Sequence, residues 1–124
     1  MRDVSPATAP TTGSELLSRR ALPPFETLRA FDAIARLGGV RKAALYLSRN
    51  HAVISRHLRA IEEWTGTKLI QRTAAGSVLT EDGVRYHRDI ASALDLIAHA
   101  TIELIRRGDH RSVDLGEGKQ EPES

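Results

Sequence analysis

The stretch RKAALYLSRNHAVISRHLRAIEEWTG, residues 41–66, decides the fold of this chain. Its apolar residues recur at the spacing of two α-helices, one over about 41–48 and the next over 51–65. Asn50 lies in the short break between them and is suited to cap the second helix, because its side-chain oxygen can accept an unpaired backbone N–H. The inner stripe of that helix is Ile54, Leu58 and Ile61. The pattern therefore predicts two short helices joined by a tight turn.

The face of the second helix opposite that stripe is polar and basic. It carries His51, Ala52, Ser55, Arg56 and Arg59. Two short helices, a tight turn and an arginine-bearing outer face are typical of a helix-turn-helix motif.

The flanking segments complete a small, mainly α-helical domain. A run of apolar residues at helical spacing begins at Phe25 and ends at Gly38, because glycine accepts the left-handed conformation that closes a helix. Residues 69–79 hold two short β-prone pieces around the turn 74–76, which predicts a β-hairpin, or wing. The expected fold over residues 22–79 is a winged helix-turn-helix of three helices and a small hairpin.

A long helix is predicted next, over residues 80–108. Thr80 is expected to cap it, Glu81 and Asp82 favour its first turn, and Gly108 is expected to end it. Its inner positions are Val84, His87, Ile90, Leu94, Ile97, Thr101 and Leu104. A helix about 40 Å long cannot bury such a seam on one small domain, so we expect a homodimer. The predicted dimerisation residues are Val84, Ile90, Leu94, Ile97, Thr101 and Leu104.

Composition excludes several classes of protein. The 124 residues include no cysteine, which removes disulfides, thiol nucleophiles and thiolate metal sites. No apolar run approaches the roughly 20 residues of a membrane span, and the N-terminus does not read as a secretory signal. The five histidines lack the spacing of a helical zinc site, and no phosphate loop or nucleophile elbow occurs. We expect no enzyme, no metal site and no cofactor, in a cytoplasmic protein. Residues 1–21 are expected to form a flexible N-terminal tail, and residues 109–124 a disordered C-terminal tail.

The formal net charge of +2 conceals an uneven distribution along the chain. Residues 21–78 carry nine Lys or Arg against four acidic residues, whereas residues 79–110 carry four against six. A basic segment of this kind is expected where phosphates are bound.

Five segments, in this order and spacing, resemble the N-terminal DNA-binding region of LysR-type transcriptional regulators. They are LPPFETLRAFDAIARLGG, RKAALYL, AVISRHLRAIEEWTG, KLIQR and LTEDG, and the resemblance covers Leu22 to Arg107. It implies that helix 51–65 reads the major groove of double-stranded DNA and that a linker helix pairs two copies over a promoter inverted repeat.

The resemblance also suggests which residues contact DNA. They are Asn50, His51, Ala52, Ser55, Arg56, Arg59, Arg41, Lys42 and Arg72. Ser55 and Arg56 match the family's pattern, while His51 stands where a glutamine is usual and cannot make a bidentate amide pair with adenine. Ala74 and Ala75 occupy the wing tip, where a basic residue is common in the family.

These observations favour a sequence-specific, nucleoid-associated bacterial regulator that is truncated relative to its family and has no small-molecule effector site. Two alternatives stay open. One is an interaction protein that forms a heterodimer with a full-length relative and antagonises it, which the alanines at the wing tip would favour. The other is a gene remnant without function.

Overall fold

The computed structural model describes residues 17–114, with side-chain surroundings for residues 17–109. After a short 3-10 helix at Arg19–Ala21, its elements are α1 (Phe25–Leu37), α2 (Val40–Leu47), α3 (His51–Thr65), β1 (Ile70–Thr73), β2 (Gly76–Leu79) and α4 (Glu81–Asp114). The predicted winged helix-turn-helix followed by a long helix is confirmed. No helix within residues 17–114 is long and apolar enough to cross a membrane.

The core lies where α1, α2 and α3 meet. Phe31 of α1 is fully buried at its centre, and Ile54 and Ile61 pack against it from α3. Leu69, just before the hairpin, closes the core at 2% exposure. The inner stripe predicted for α3 is therefore the face that holds this helix to the domain.

The wing is a two-stranded antiparallel hairpin. Ile70 pairs with Leu79 at its base and Thr73 with Gly76 at its tip. The Thr73 hydroxyl donates to the carbonyl of Gly76 at 2.9 Å and accepts from the Ala75 N–H at 3.2 Å. The hairpin turn is thus held by a side chain of the hairpin itself.

The start of α4 is tied to the segment that precedes the wing. Thr80 caps the helix as predicted, because its hydroxyl accepts the Gly83 N–H at 3.0 Å. The same hydroxyl donates to the Lys68 carbonyl at 2.8 Å, and the Thr80 N–H donates to the Leu69 carbonyl at 3.0 Å. Gly83 is buried so closely against that Leu69 carbonyl that a Cβ there would overlap it. The first turn of α4 therefore packs directly against the backbone of Lys68 and Leu69.

The predicted end of α4 at Gly108 is wrong, since the helix continues to Asp114. One glycine costs a helix only about 1 kcal/mol relative to alanine, and the good helix formers Arg106 and Arg107 precede this one. The residues from 115 to the C-terminus lie outside the described part of the chain, as does most of the predicted C-terminal tail.

The predicted flexible N-terminal tail also differs from the structure at its end. Arg19–Ala21 form one turn of 3-10 helix, and the Trp64 indole N–H donates to the Arg20 carbonyl at 2.9 Å. This contact with α3 could not be anticipated from the composition of the segment. Residues 1–16 lie outside the described residues.

Candidate nucleic-acid interface

Asn50 is the N-cap of α3, the helix that carries most of the candidate interface. Its backbone is extended, and its side-chain oxygen accepts the Ala52 N–H at 2.7 Å. The predicted cap is therefore confirmed. Because the oxygen is engaged, the amide NH2 is the part of Asn50 still available to donate to an external group.

The outer face of α3 points away from the domain core. Ile54 and Ile61 are buried on one side of this helix, whereas His51, Ala52, Arg56 and Arg59 are exposed on the other and Ser55 is half-buried between them. The structure thus brings together on one surface the five residues singled out on this helix.

Two further cations lie in the first turn of α2. Arg41 and Lys42 are both exposed there, and Gly39 at the N-cap provides no side-chain hydrogen bond. Cations in a first turn are disfavoured by the helix dipole, and a glycine at the N-cap costs roughly a few tenths of a kcal/mol relative to a capping side chain. The two cations at the start of α2 therefore lower the stability of this helix.

The wing contributes one exposed cation, Arg72 on β1, which pairs with Ser77 on β2. Ala74 and Ala75 form its exposed tip, so the tip itself has no charge.

The cations of this surface form no ion pair with a carboxylate among the residues that the structure describes. No carboxylate of residues 17–109 lies within 4.0 Å of Arg41, Lys42, Arg56, Arg59 or Arg72. By contrast, Arg36 pairs with Asp32 at 2.7 Å and Arg85 with Asp82 at 2.9 Å. Within residues 17–109 these cations of α2, α3 and the wing thus form no ion pair, whereas Arg85 and Arg106 of α4 do.

Glu62 is a functional residue that sequence reasoning missed. One of its carboxylate oxygens accepts the N–H groups of Leu69 at 2.8 Å and Ile70 at 3.1 Å, and the other lies 3.5 Å from the Lys68 ammonium. The Glu62 side chain is only 11% exposed. Glu62 therefore fastens the base of the wing to α3. Its place beside the core residue Ile61 was the available signal.

Asp32 of α1 links the domain to α4. Its carboxylate lies 2.8 Å from Nε2 of His87 and accepts from Nε of Arg36 at 2.7 Å. The hydrogen bond and charge of Asp32 raise the pKa of Arg36. The His87 ring also packs edge-on against Phe31, with 5.7 Å between centroids. His87 therefore faces α1, which corrects its assignment to the seam of α4. Among the described residues, no three His, Asp or Glu side chains are arranged to hold a metal ion.

The apolar side chains of α4 are covered only in part. Ile90 and Leu94 are half-buried, whereas Val84, Ile97 and Leu104 are 52%, 53% and 63% exposed, and Thr101 is also exposed. A groove of about 660 Å³ runs between α4 and the α1–α2 pair. Most of the predicted dimerisation residues are thus open to solvent within a single chain.

Sequence comparison places this domain among regulators. The model of the "Bacterial regulatory helix-turn-helix protein, lysR family" matches residues 25–84. The glycine cleavage system transcriptional activator of Escherichia coli K12 is 36% identical over 91 residues, which are 73% of this chain and 30% of that protein. The regulator TrpI of Pseudomonas aeruginosa is 35% identical over 88 residues, 71% of this chain and 30% of its own length. The matched part of this chain thus spans about a third of the length of these relatives.

Solved structures share the architecture. A mutant of Corynebacterium glutamicum OxyR is 28% identical with a TM-score of 0.64, over 70% of this chain and 28% of that one. The DNA-binding domain of CbnR in complex with DNA is 27% identical with a TM-score of 0.60, over 68% of this chain and 98% of that one. With three helices, a wing and the start of a long helix in the same order, residues 25–84 are a helix-turn-helix domain of the lysR family.

Proposed function

We propose that this protein is a sequence-specific DNA-binding transcriptional regulator that acts as a dimer. The observation that carries the proposal is the set of exposed cations on α2, α3 and the wing that form no ion pair within residues 17–109. Neutralisation of phosphates by such cations supplies most of the non-specific affinity for DNA. The likeness to a CbnR domain whose structure contains DNA supports the same assignment.

In this proposal the first turns of α3 enter the major groove. Arg56 contacts a guanine edge or a phosphate, and Ser55 and His51 offer neutral hydrogen bonds to base edges. Asn50 acts mainly by fixing the start of α3, because its oxygen caps the helix. Ala52 is exposed on the same face and suits contact with a thymine methyl group.

The remaining cations position the domain on the DNA backbone. Arg41 and Lys42 at the start of α2, Arg59 on α3 and Arg72 on the wing are assigned to phosphates. Such contacts fix register without reading sequence. A phosphate at the first turn of α2 would also offset the unfavourable cation placement there, since helix N-termini attract anions.

The dimer is proposed to form through α4. Val84, Ile97 and Leu104 are more than half exposed in one chain, and a second copy would bury them. Paired helices would set two α3 helices over the two halves of an inverted repeat, because protein symmetry then matches DNA symmetry.

The DNA-reading part of the proposal is tested with Arg56→Ala. Duplexes selected from a genomic library by the unaltered protein serve as the probe. The variant is expected to lose about 10–100-fold in affinity, the range of one good base contact. Arg107→Ala, which removes an exposed arginine at the far end of α4, is the matched control and should bind as before. Equal binding by both variants would refute the proposal.

The dimer is tested separately by sedimentation equilibrium. Leu104→Asp is expected to raise the dimer Kd more than tenfold, about 1.4 kcal/mol. Leu96→Asp is the matched control, because Leu96 is 70% exposed and lies off the predicted seam. An equal dimer Kd for the two variants would show that the seam of α4 is not the dimer interface.

A mixed dimer with a relative of this chain is the second candidate. It is favoured by the uncharged wing tip at Ala74 and Ala75, which weakens attachment to DNA, while the exposed seam of α4 remains available. The dependence of DNA affinity on salt separates the two candidates. A steep salt dependence with site preference supports the regulator, whereas no binding in dilute salt, with copurification of a larger relative, supports the antagonist.

A further inference from the structure

Helix α4 is attached to the domain at its start and is exposed at its far end. Thr80 and Gly83 hold its first turn, and Tyr86 and His87 pack against Phe31. Two polar side-chain contacts join α4 to α1 among the described residues, Asp32 to His87 at 2.8 Å and Arg36 to Asp95 at 3.5 Å. The side chains of Asp32 and His87 are 16% and 18% exposed, so water competes weakly for their contact. Arg36 links the two contacts, because its Nε donates to Asp32 and its Nη2 donates to Asp95. They therefore form one connected network between two helices.

The network lies near the start of α4, so a small rotation there moves the far end of the helix by a larger distance. From His87 to Leu104 the helix rises about 25 Å at 1.5 Å per residue. A rotation of about 10° at His87 would move Leu104 by about 4 Å, more than the rise of one base pair, about 3.4 Å per strand step. Small changes at the network thus become changes of about one base pair at the far end of α4.

We propose that the Asp32–His87–Arg36–Asp95 network sets the angle between α4 and the winged domain, and so determines the half-site spacing that a dimer accepts. His87 and Asp32 act as positioning residues and do not touch DNA. The role in half-site spacing rests on the proposed function, because it requires the dimer. The angle between α4 and the winged domain is a property of a single chain.

Pulsed EPR distances within one chain test the angle directly. Because the chain has no cysteine, Leu45→Cys on α2 and Arg107→Cys on α4 provide the two spin-label sites, and excess unlabelled protein suppresses signals between chains. The unaltered network is expected to give one narrow distance distribution. His87→Ala should shift or broaden it by about 3 Å or more, while His87→Gln, whose amide can donate to Asp32, should restore it.

His99→Ala is the matched control, because His99 is an exposed histidine of α4 whose hydrogen bond stays within that helix. Should His87→Ala fold poorly by circular dichroism, Arg36→Ala gives the same readout by removing the tie to Asp95, since its side chain is 46% exposed. A distance distribution that is unchanged in His87→Ala or Arg36→Ala would overturn the proposal.

Spacing preference is then measured with duplexes that carry the selected half-site twice, the spacer lengthened one base pair at a time. The unaltered protein should prefer one spacer, and His87→Ala should bind several with less than a threefold difference. A changed angle with an unchanged spacer preference would contradict the role in spacing. No binding of any duplex by the unaltered protein would instead refute the proposed function, and the distance result would still decide the angle.

Discussion

The winged domain and helix α4 differ in how far their apolar side chains are exposed to solvent. Within residues 25–80 a set of large apolar residues forms a buried core, with Phe31 and Ile61 fully inaccessible to water, while Phe25, Leu45 and Tyr46 are exposed. Along α4, Leu96, Ile97 and Leu104 are each more than half exposed. An isolated helix gains little stability from hydrogen bonding alone. The contrast indicates that the domain has a buried core of its own, whereas the outer part of α4 gains from a covering surface.

The largest expected effect contrasts one core residue with one residue of the seam. Phe31→Ala should lower the free energy of unfolding by about 3–5 kcal/mol, because it leaves a cavity beneath α3 and α4. Leu104→Ala, measured by urea denaturation at protein concentrations low enough to keep the chains separate, should change it by less than about 0.5 kcal/mol. Similar losses in the two variants would show that the far end of α4 belongs to the cooperative core.

The second effect concerns the junction between α3 and the wing. Glu62→Ala should lower the free energy of unfolding by about 3 kcal/mol, because it leaves two buried N–H groups unpaired. Hydrogen exchange at Leu69 and Ile70 should accelerate more than exchange at the centre of α1. Glu63→Ala, at the exposed neighbouring position, is the control and should leave both readouts near their original values.

The third effect contrasts two glycines of α4. Gly83→Ala should destabilise the protein by about 2 kcal/mol, because the new methyl group meets the Leu69 carbonyl and the helix must move. Gly108→Ala meets nothing within 4 Å and should stabilise α4 by up to about 1 kcal/mol. Thermal unfolding checks both changes. A gain in stability at Gly83 would mean that the first turn of α4 is not pressed against Leu69.

The smallest effect lies in the turn between α2 and α3. Ser48 has φ 55°, a left-handed conformation that is unfavourable for residues with a Cβ atom. Ser48→Gly should therefore raise the free energy of unfolding by about 0.5–1 kcal/mol, measured in urea. The matched change Arg49→Gly, one residue later, should lower it, since no left-handed φ is relieved there. DNA affinity is expected to stay constant in Ser48→Gly.

The sequence predicted the elements whose signals are local. The cap at Asn50, the stop at Gly38 and the hairpin around Ala74 each depend on a few neighbouring residues, and the structure has them in place. Polar contacts between distant elements could not be predicted in this way. Glu62 reaches Leu69 across a loop, and Asp32 meets His87 from 55 positions away.

The candidate interface divides along the same line. The exposed face of α3 follows from helical periodicity, so His51, Arg56 and Arg59 could be placed on it from the sequence alone. Whether their charge is compensated depends on acidic residues elsewhere in the fold, and only the structure shows the distances between them. The role of Gly108 was misjudged for a related reason, because one weak residue does not end a helix that its neighbours favour.

The contact between Trp64 and Arg20 gives the protein an intrinsic optical reporter. Trp64 is the sole tryptophan of the chain, and its indole N–H is bonded to a backbone carbonyl of the segment preceding α1. Fluorescence emission therefore reports on one defined location, the end of α3 where this segment is attached. Detachment of the segment would shift the emission maximum to longer wavelength before global unfolding, without any introduced dye.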